Sequence, residues 1–326
     1  MTEQKPVKKR HHAQPEFYLR GFCQPGADRV WVYDFEATEP RCVGVENASV
    51  ERYRYSVTRK DGSRDNSLED WIADTESKAA PILKKLIAGD NISLQERADF
   101  ASFMALMHVR TDSARELYAQ MIAGRMQIEA YATAKHDRAF MQLMEGFQKQ
   151  HGTMTAEKIE QVRQALIDPK GFVISVNKEA TLSALIAHDD FLPIFLEMEW
   201  SVVISKEPYY FVTSDNPLSH HVHEKHRNPM VPSGFLHPKA EVSLPLSSSA
   251  CLIATRHRTI PARSAAKPEF TKTMNRERAV FARRYLYGPR LDPGVKRLAE
   301  KYKTLKPGFK FSGFGPKEFS TVKLKR

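Results

Sequence analysis

"EWSVVISKEPYYFVTSDNPL", residues 199–218, decides the fold, because here a long helical run gives way to strands. β-Branched and aromatic residues dominate "EWSVVIS" (199–205) and "YYFVTSD" (209–215), and both read as strands. Lys206–Tyr209, with Pro208, reads as the hairpin turn between them. The second segment ends with Ser214, Asp215 and Asn216 side by side, just before Pro217. Such residues suit a turn in which Asp or Asn accepts backbone N–H groups. They equally suit a carboxylate presented at a strand end to a metal ion or a water nucleophile. "EVSLPLS" (241–247) and "ACLIAT" (250–255) continue the β unit. The His-, Pro- and Asn-rich stretch 216–240 reads as a long loop, of the kind that is usually functional or mobile.

Upstream, the chain reads as helical from 67 to about 167. A first helix runs from Ser67 to Ile87 with a stripe of Leu68, Ile72, Thr75, Ala79, Ile82, Leu83 and Leu86, and stops at Gly89. A second opens with Ser93 and Glu96, a capping box, and carries Phe100, Phe103, Met104 and Met107. Further helices follow. Residues 178–198 form another, broken near Pro193, and "GFVISV" before it reads as strand or turn. Ahead of the helices, "RVWVYDF" (29–35) alternates Val30 and Val32 with Trp31 and Tyr33, a strand partnered by "RCVGVEN" (41–47). "YRYSV" (53–57) adds a third strand. "HHAQPEFYLRGF" (11–22) reads as a short helix with Pro15 in its first turn. The fold class is α+β: a small N-terminal β element (28–57), a helical middle (67–198), and a C-terminal antiparallel sheet (199–255) packed against the helices. A closing helix spans 268–288, so that one elaborated domain covers 11–288. A basic tail (1–10) precedes it and a lysine-rich tail (289–326) follows.

The composition, 41% hydrophobic and 27% charged, is that of a folded chain and excludes a disordered one. No stretch is apolar enough for a membrane span or a signal peptide, and Cys23, Cys42 and Cys251 form no CxxC pair. A reducing, cytoplasmic setting is expected. The net charge of +11 lives in the ends, +3 in residues 1–12 and +8 in residues 296–326. Such ends can hold phosphates, so nucleic acid is the expected partner, although solvated tails have the same composition. No GxGxxG or P-loop is present.

Glu76 lies at the edge of the first helix's apolar stripe and Arg110 continues that of the second. Charges so placed need partners. They pair across two helices, or enter one polar pocket with Glu76 as base or metal ligand and Arg110 as an anion clamp. Asp215 with Glu76 gives the two carboxylates a magnesium or manganese site needs. His12 is the candidate general base, and His11, Lys8, Lys9, Arg10, Asn216 and Asn275 are candidate substrate contacts. Ser214 lacks the GxSxG turn of an activated nucleophile. His220, His221, His223 and His226 in "HHVHEKH" have the chemistry of a transition-metal site but no HExxH spacing.

Taken in order, several motifs resemble a known family. "HHAQPEFYLRGF" resembles an HHYxPxFYLRxF opening, with Ala13-Gln14 departing from its Tyr and apolar residue. "ENASVERYRYS", "LEDWIADTESKAAPIL" with Glu76, "FMALMHVRT", "FVTSDNPL", "SLPLS" and "MNRERAVFARRYLYG" follow. Together they resemble the DUF4238 family over roughly residues 10–288. That resemblance implies no activity. From the residues themselves, the expectation is a metal-dependent nuclease or phosphodiesterase. The alternative is a non-catalytic protein that binds nucleic acid or an acidic partner.

Overall fold

The computed structural model describes residues 10–24, 26–59, 61–168, 171–177, 179–227 and 234–304. Among these the chain forms two compact units, one from residues up to Ala114 with those from Ala184 onward, the other from Arg115–Ser183. No helix of the described residues is long and apolar enough to cross a membrane. The elements have the expected α+β character.

β1 (Arg10–His12) leads into α1 (Glu16–Leu19), and β2 (Arg29–Asp34) turns back as β3 (Arg41–Gly44). A single turn, α2 (Val45–Ala48), then β4 (Val50–Arg52) and the ribbon of β5 (Val57–Thr58) and β6 (Arg64–Asp65) precede the long helices α3 (Ser67–Ala88) and α4 (Leu94–Val109). The helix ends follow the sequence signals. Gly89 closes α3 at φ 90°, a left-handed conformation that glycine adopts without steric penalty. Ser93 and Glu96 form the capping box of α4. α5 (Asp112–Lys135), α6 (Asp137–His151) and α7 (Ala156–Ile167) follow. The second unit has its own apolar cluster, with Ala134, Phe140 and Met144 packed by Ile159, Val162 and Leu166. Residues 171–177 adopt neither helix nor strand.

A 3₁₀ stretch, Ala180–Ala187, hands over to α8 (His188–Leu196). Pro193 therefore lies inside α8, and the change of helix type comes before His188 rather than at the proline. β7 (Glu199–Ile204), β8 (Thr213–Ser214), β9 (Ser219–His221), β10 (Glu241–Pro245), β11 (Ala250–Thr255) and β12 (Arg263–Ala265) come next. The chain continues with α9 (Pro268–Phe281), β13 (Tyr285–Gly288) and α10 (Pro293–Tyr302).

A five-stranded sheet runs β12-β7-β11-β10-β9. It is antiparallel except that β12 lies parallel to β7, an exception to the expected antiparallel sheet. Alternation sorts its side chains onto two faces. Trp200, Val202, Val242, Leu244, Leu252 and Ala254 join the main core with Phe100 and Phe103 of α4. Val203, Cys251 and Ile253 face Phe270 and Met274 of α9.

The hairpin expected across 206–209 does not form. β7 pairs with β11 and β12, whereas β8 pairs with β13 in a second sheet ordered β3-β2-β13-β8. The linking backbone finds its hydrogen bonds elsewhere, as buried polar groups must. Ser205 N–H and Phe211 N–H donate to the Ser249 and Ser248 carbonyls, and Val212 N–H donates to the Asn275 side chain. The closing helix is also shorter than expected. It ends at Phe281, and β13 takes residues 285–288 as a strand between β2 and β8. α10 lies within the stretch that reads as tail, its start set by Asp292, whose side chain caps Gly294 and Val295 ahead of Pro293 at the first turn. In β2, Val30 and Val32 face the main core while Trp31 and Tyr33 face the cluster of α9 and α10, the alternation that the sequence carries.

Candidate functional site

His11 and His12 do not begin a helix; they lie on β1, which pairs antiparallel with β4 so that His11 faces Glu51 and His12 faces Val50. Just after β4, Tyr53 takes φ 53°, a left-handed conformation rare for a bulky residue. This ends the strand, so "YRYSV" is not one. The bend drives Arg54, Tyr55 and Ser56 into the interior.

A charged layer results. Arg110, 1% exposed, donates from Nη1 to Glu76 Oε1 at 2.5 Å, from Nη2 to the His12 carbonyl at 2.6 Å, and from Nε to Tyr55 Oη at 3.1 Å. Arg54, also buried, donates from Nε to the same Tyr55 Oη at 3.1 Å and from Nη2 to Asp112 at 2.7 Å and the Arg110 carbonyl at 3.0 Å. It reaches Glu51 as well. Burial opposes both guanidinium charges, but the Tyr55 oxygen and the carboxylates outweigh it and raise both pKa values. His11 is fully buried; its ring stacks on Tyr55 at 5.7 Å and its Nδ1 accepts from Tyr55 N–H at 2.9 Å.

At the edge of this layer, His12 Nε2 stands 3.0 Å from Glu16 Oε1. A carboxylate only accepts, so Nε2 carries the proton and Nδ1 holds the lone pair. Among the described residues, Nδ1 is buried with no hydrogen-bond partner. Burial lowers the His12 pKa below the ordinary value, against the pull of Glu16 and Glu76 and with the help of Arg10 and Arg110. Neutral imidazole is therefore the resting form. The Glu76 and Glu16 side chains keep 22% and 33% exposure, so neither is fully buried.

Asp215 has a different setting. Oδ1 accepts from Arg283 N–H at 2.9 Å, and Oδ2 from Arg284 N–H at 2.8 Å and Tyr285 N–H at 3.2 Å. Burial pushes its pKa up to about 6, with the three N–H groups pulling the other way. Ser214 Oγ accepts from Asn216 N–H at 3.1 Å, and Asn216 Nδ2 donates to the Phe281 carbonyl at 3.0 Å. Gln14 Nε2 donates to the Asp215 carbonyl at 3.0 Å. The Ser-Asp-Asn run thus fixes the start of β13 and the end of α9. Asn275 spans Val212 N–H (3.0 Å) and the Tyr210 carbonyl (2.8 Å), as a neighbouring strand would.

The structure therefore brings His12, Glu76 and Arg110 together, with Asp215 held by backbone at the β8–β13 junction. Arg10 is exposed and bonds the Glu46 carbonyl and Asn47; Lys8 and Lys9 lie outside the described residues. Among the described residues no three His, Cys, Asp or Glu side chains form a metal-holding group. Sequence reading missed Glu16, Tyr55, Arg54 and Arg278. Glu16 follows His12 by four residues, a spacing that invites pairing. Arg278 lies seven residues after Thr271 on one face of α9, both buried. It is fully buried and donates to Ser219 Oγ at 3.0 Å, Ser243 Oγ at 2.7 Å and the Pro217 carbonyl, and burial lowers its pKa.

Fold and site together define an α+β protein with a closed layer of buried arginines under a two-stranded ribbon, and a histidine–carboxylate pair at its rim. The chain belongs to the family described as Protein of unknown function (DUF4238), which matches residues 10–291. No curated protein and no solved structure matches it.

Proposed function

We propose that the chain is a hydrolase of nucleic-acid phosphodiesters that works with magnesium or manganese. The observation that carries this reading is His12: a neutral imidazole oriented by Glu16, with a buried Nδ1 that has no partner among the described residues. Once rotation of the partly exposed His12 ring brings Nδ1 to solvent, a water gives it a proton, and the hydroxide attacks phosphorus as the phosphorus–oxygen bond to the leaving group breaks. Glu76 and Glu16 would hold the metal, which would supply electrostatic stabilisation of the charge that develops on the phosphate. Arg110 orients Glu76 rather than clamping substrate, because its donors point to Glu76, Tyr55 and the His12 carbonyl. The net charge of +11, concentrated toward the chain ends, supports a polyanionic substrate.

The test is cleavage of labelled DNA and RNA in magnesium or manganese, comparing the wild type with His12→Ala and Glu76→Gln. Metal-dependent cleavage lost in both folded variants is the expected result. Its rate should fall on acidification, at a pH below the ordinary histidine range because burial lowers the His12 pKa, since protonation removes the base. Absence of cleavage by the wild type overturns the proposal.

One observation favours a second reading, non-catalytic binding. Arg110, Arg54, Asp215 and Asn275 all hold main-chain groups, as structural fasteners do. Salt-sensitive nucleic-acid binding without cleavage, lost when the basic ends are removed, would establish it.

A further inference from the structure

We propose that β12 is the seam of a homodimer, in which two copies of the chain pair edge to edge about a twofold axis at Ser264. β12 is an outer strand of the five-stranded sheet. Val202 N–H donates to the Ala262 carbonyl and Ala266 N–H to the Ile204 carbonyl, so the main-chain groups of Ser264 face β7. Those of Arg263 and Ala265 therefore point away from the sheet. Among the described residues they find no partner, and both residues are exposed. A row of such groups is a template for another strand.

The row is complementary to itself. A twofold axis at Ser264 sets Arg263 of one copy opposite Ala265 of the other, and each such pair exchanges both of its N–H···O bonds. Like charges directly opposite weaken a ladder, and this register keeps Arg263 from facing its own copy. Ala262, Ser264 and Ala266, which alternation places on the other face of the strand, are small enough to let two strands approach. An edge cation commonly guards a strand against such pairing. Here the Arg263 guanidinium is committed elsewhere, donating to the Leu86 and Ile87 carbonyls at 3.3 and 2.7 Å at the end of α3.

Beside the strand, a groove lined by Val203, Ile253, Ile260 and Phe270 extends the apolar contact. Its rim carries Arg258 and Lys267 together with Glu241 and Glu269. A rim of one sign would suit an oppositely charged partner. A rim with both signs in balance matches a second copy of itself, as an interface with the same patch on both sides requires. The strand is only three residues long, so the dimer is of the small, concentration-dependent kind.

The experiment is sedimentation velocity of the full chain over a wide range of concentration, in which monomer should give way to dimer as concentration rises. Ala265→Pro removes an outward N–H and leaves the bonds to β7 intact, and Ser264→Lys sets two like charges across the axis. Each should weaken dimerisation about tenfold or more, with circular dichroism checking that the variants are folded. Opposite residues between hydrogen-bonded pairs have Cα atoms about 4.5 Å apart, within disulfide range. Mild oxidation should therefore join two chains of Ser264→Cys, but neither the wild type nor Lys267→Cys. A monomer at every concentration, a dimer that Ala265→Pro and Ser264→Lys both leave unchanged, or an oxidised Ser264→Cys that stays single-chain each overturns the proposal.

Discussion

Replacing Asp215 with alanine should destabilise the fold before it affects any chemistry. Its two carboxylate oxygens accept three backbone N–H groups, from Arg283, Arg284 and Tyr285, at the point where α9 gives way to β13. A buried donor left without an acceptor costs about 1–3 kcal/mol, so the gross loss is roughly 3–9 kcal/mol. Against this stands the penalty of burying the charge. A pKa of about 6, raised by desolvation, lies some two units above an ordinary aspartate and offsets about 3 kcal/mol at neutral pH. The net expectation is a loss of about 3 kcal/mol for Asp215→Ala and about half that for Asp215→Asn, which keeps one acceptor oxygen. Urea unfolding followed by circular dichroism measures it, as a lower midpoint with an unchanged slope. The raised pKa also fixes the pH dependence. The stabilising contribution of the protonated form is present in full below about pH 4 and is lost as pH rises through about 6. The stability of the wild type relative to Asp215→Asn should therefore increase on acidification from pH 7 to pH 4. An alanine variant with wild-type stability and lost activity would refute the reasoning and return Asp215 to the chemistry.

Tyr55→Phe keeps the stacked ring over His11 but removes the oxygen shared by Arg54 and Arg110, and should lower unfolding free energy by about 2–4 kcal/mol in urea titrations. Asn275→Ala should cost about 1–3 kcal/mol and speed hydrogen exchange at the Val212 amide, which loses its acceptor. At Gly21 an added Cβ would lie 2.9 Å from the Leu246 carbonyl oxygen, while the Gly21 carbonyl accepts from Ser248 N–H at 2.8 Å. Gly21→Ala should therefore lower thermal stability by about 1–3 kcal/mol, read by calorimetry, and an unchanged melting temperature would show that the neighbouring loop gives way freely.

The parts legible from sequence are those specified by local patterns. The caps at Gly89 and Ser93 and the alternation of β2 depend on neighbouring residues, and they are found where the pattern predicts. The pairing of Glu76 with Arg110 was likewise readable, because each interrupts an apolar stripe and needs a partner. What could not be read was set at long range. "YYFVTSD" has strand composition, yet its partner is Tyr285–Gly288 rather than its neighbour, since Asn275 and the 248–249 loop supply its other bonds. "YRYSV" looks like a strand, and only the left-handed Tyr53 turns Arg54 and Tyr55 inward to build the charged layer. That His12 Nδ1 is buried without a partner among the described residues has no sequence signal beyond Glu16 four residues on.

The sheet ordered β3-β2-β13-β8 also has a consequence for the order of synthesis. Its inner strand β13 leaves the ribosome roughly 240 residues after β3 ends. At about 5–20 residues per second, β2 waits some 12–50 s for its second neighbour. Throughout that interval one edge of the β2–β3 hairpin stays open to any strand that meets it, a standing invitation to mispairing. A nascent chain stalled before Tyr285 should therefore be a better chaperone client than the finished protein.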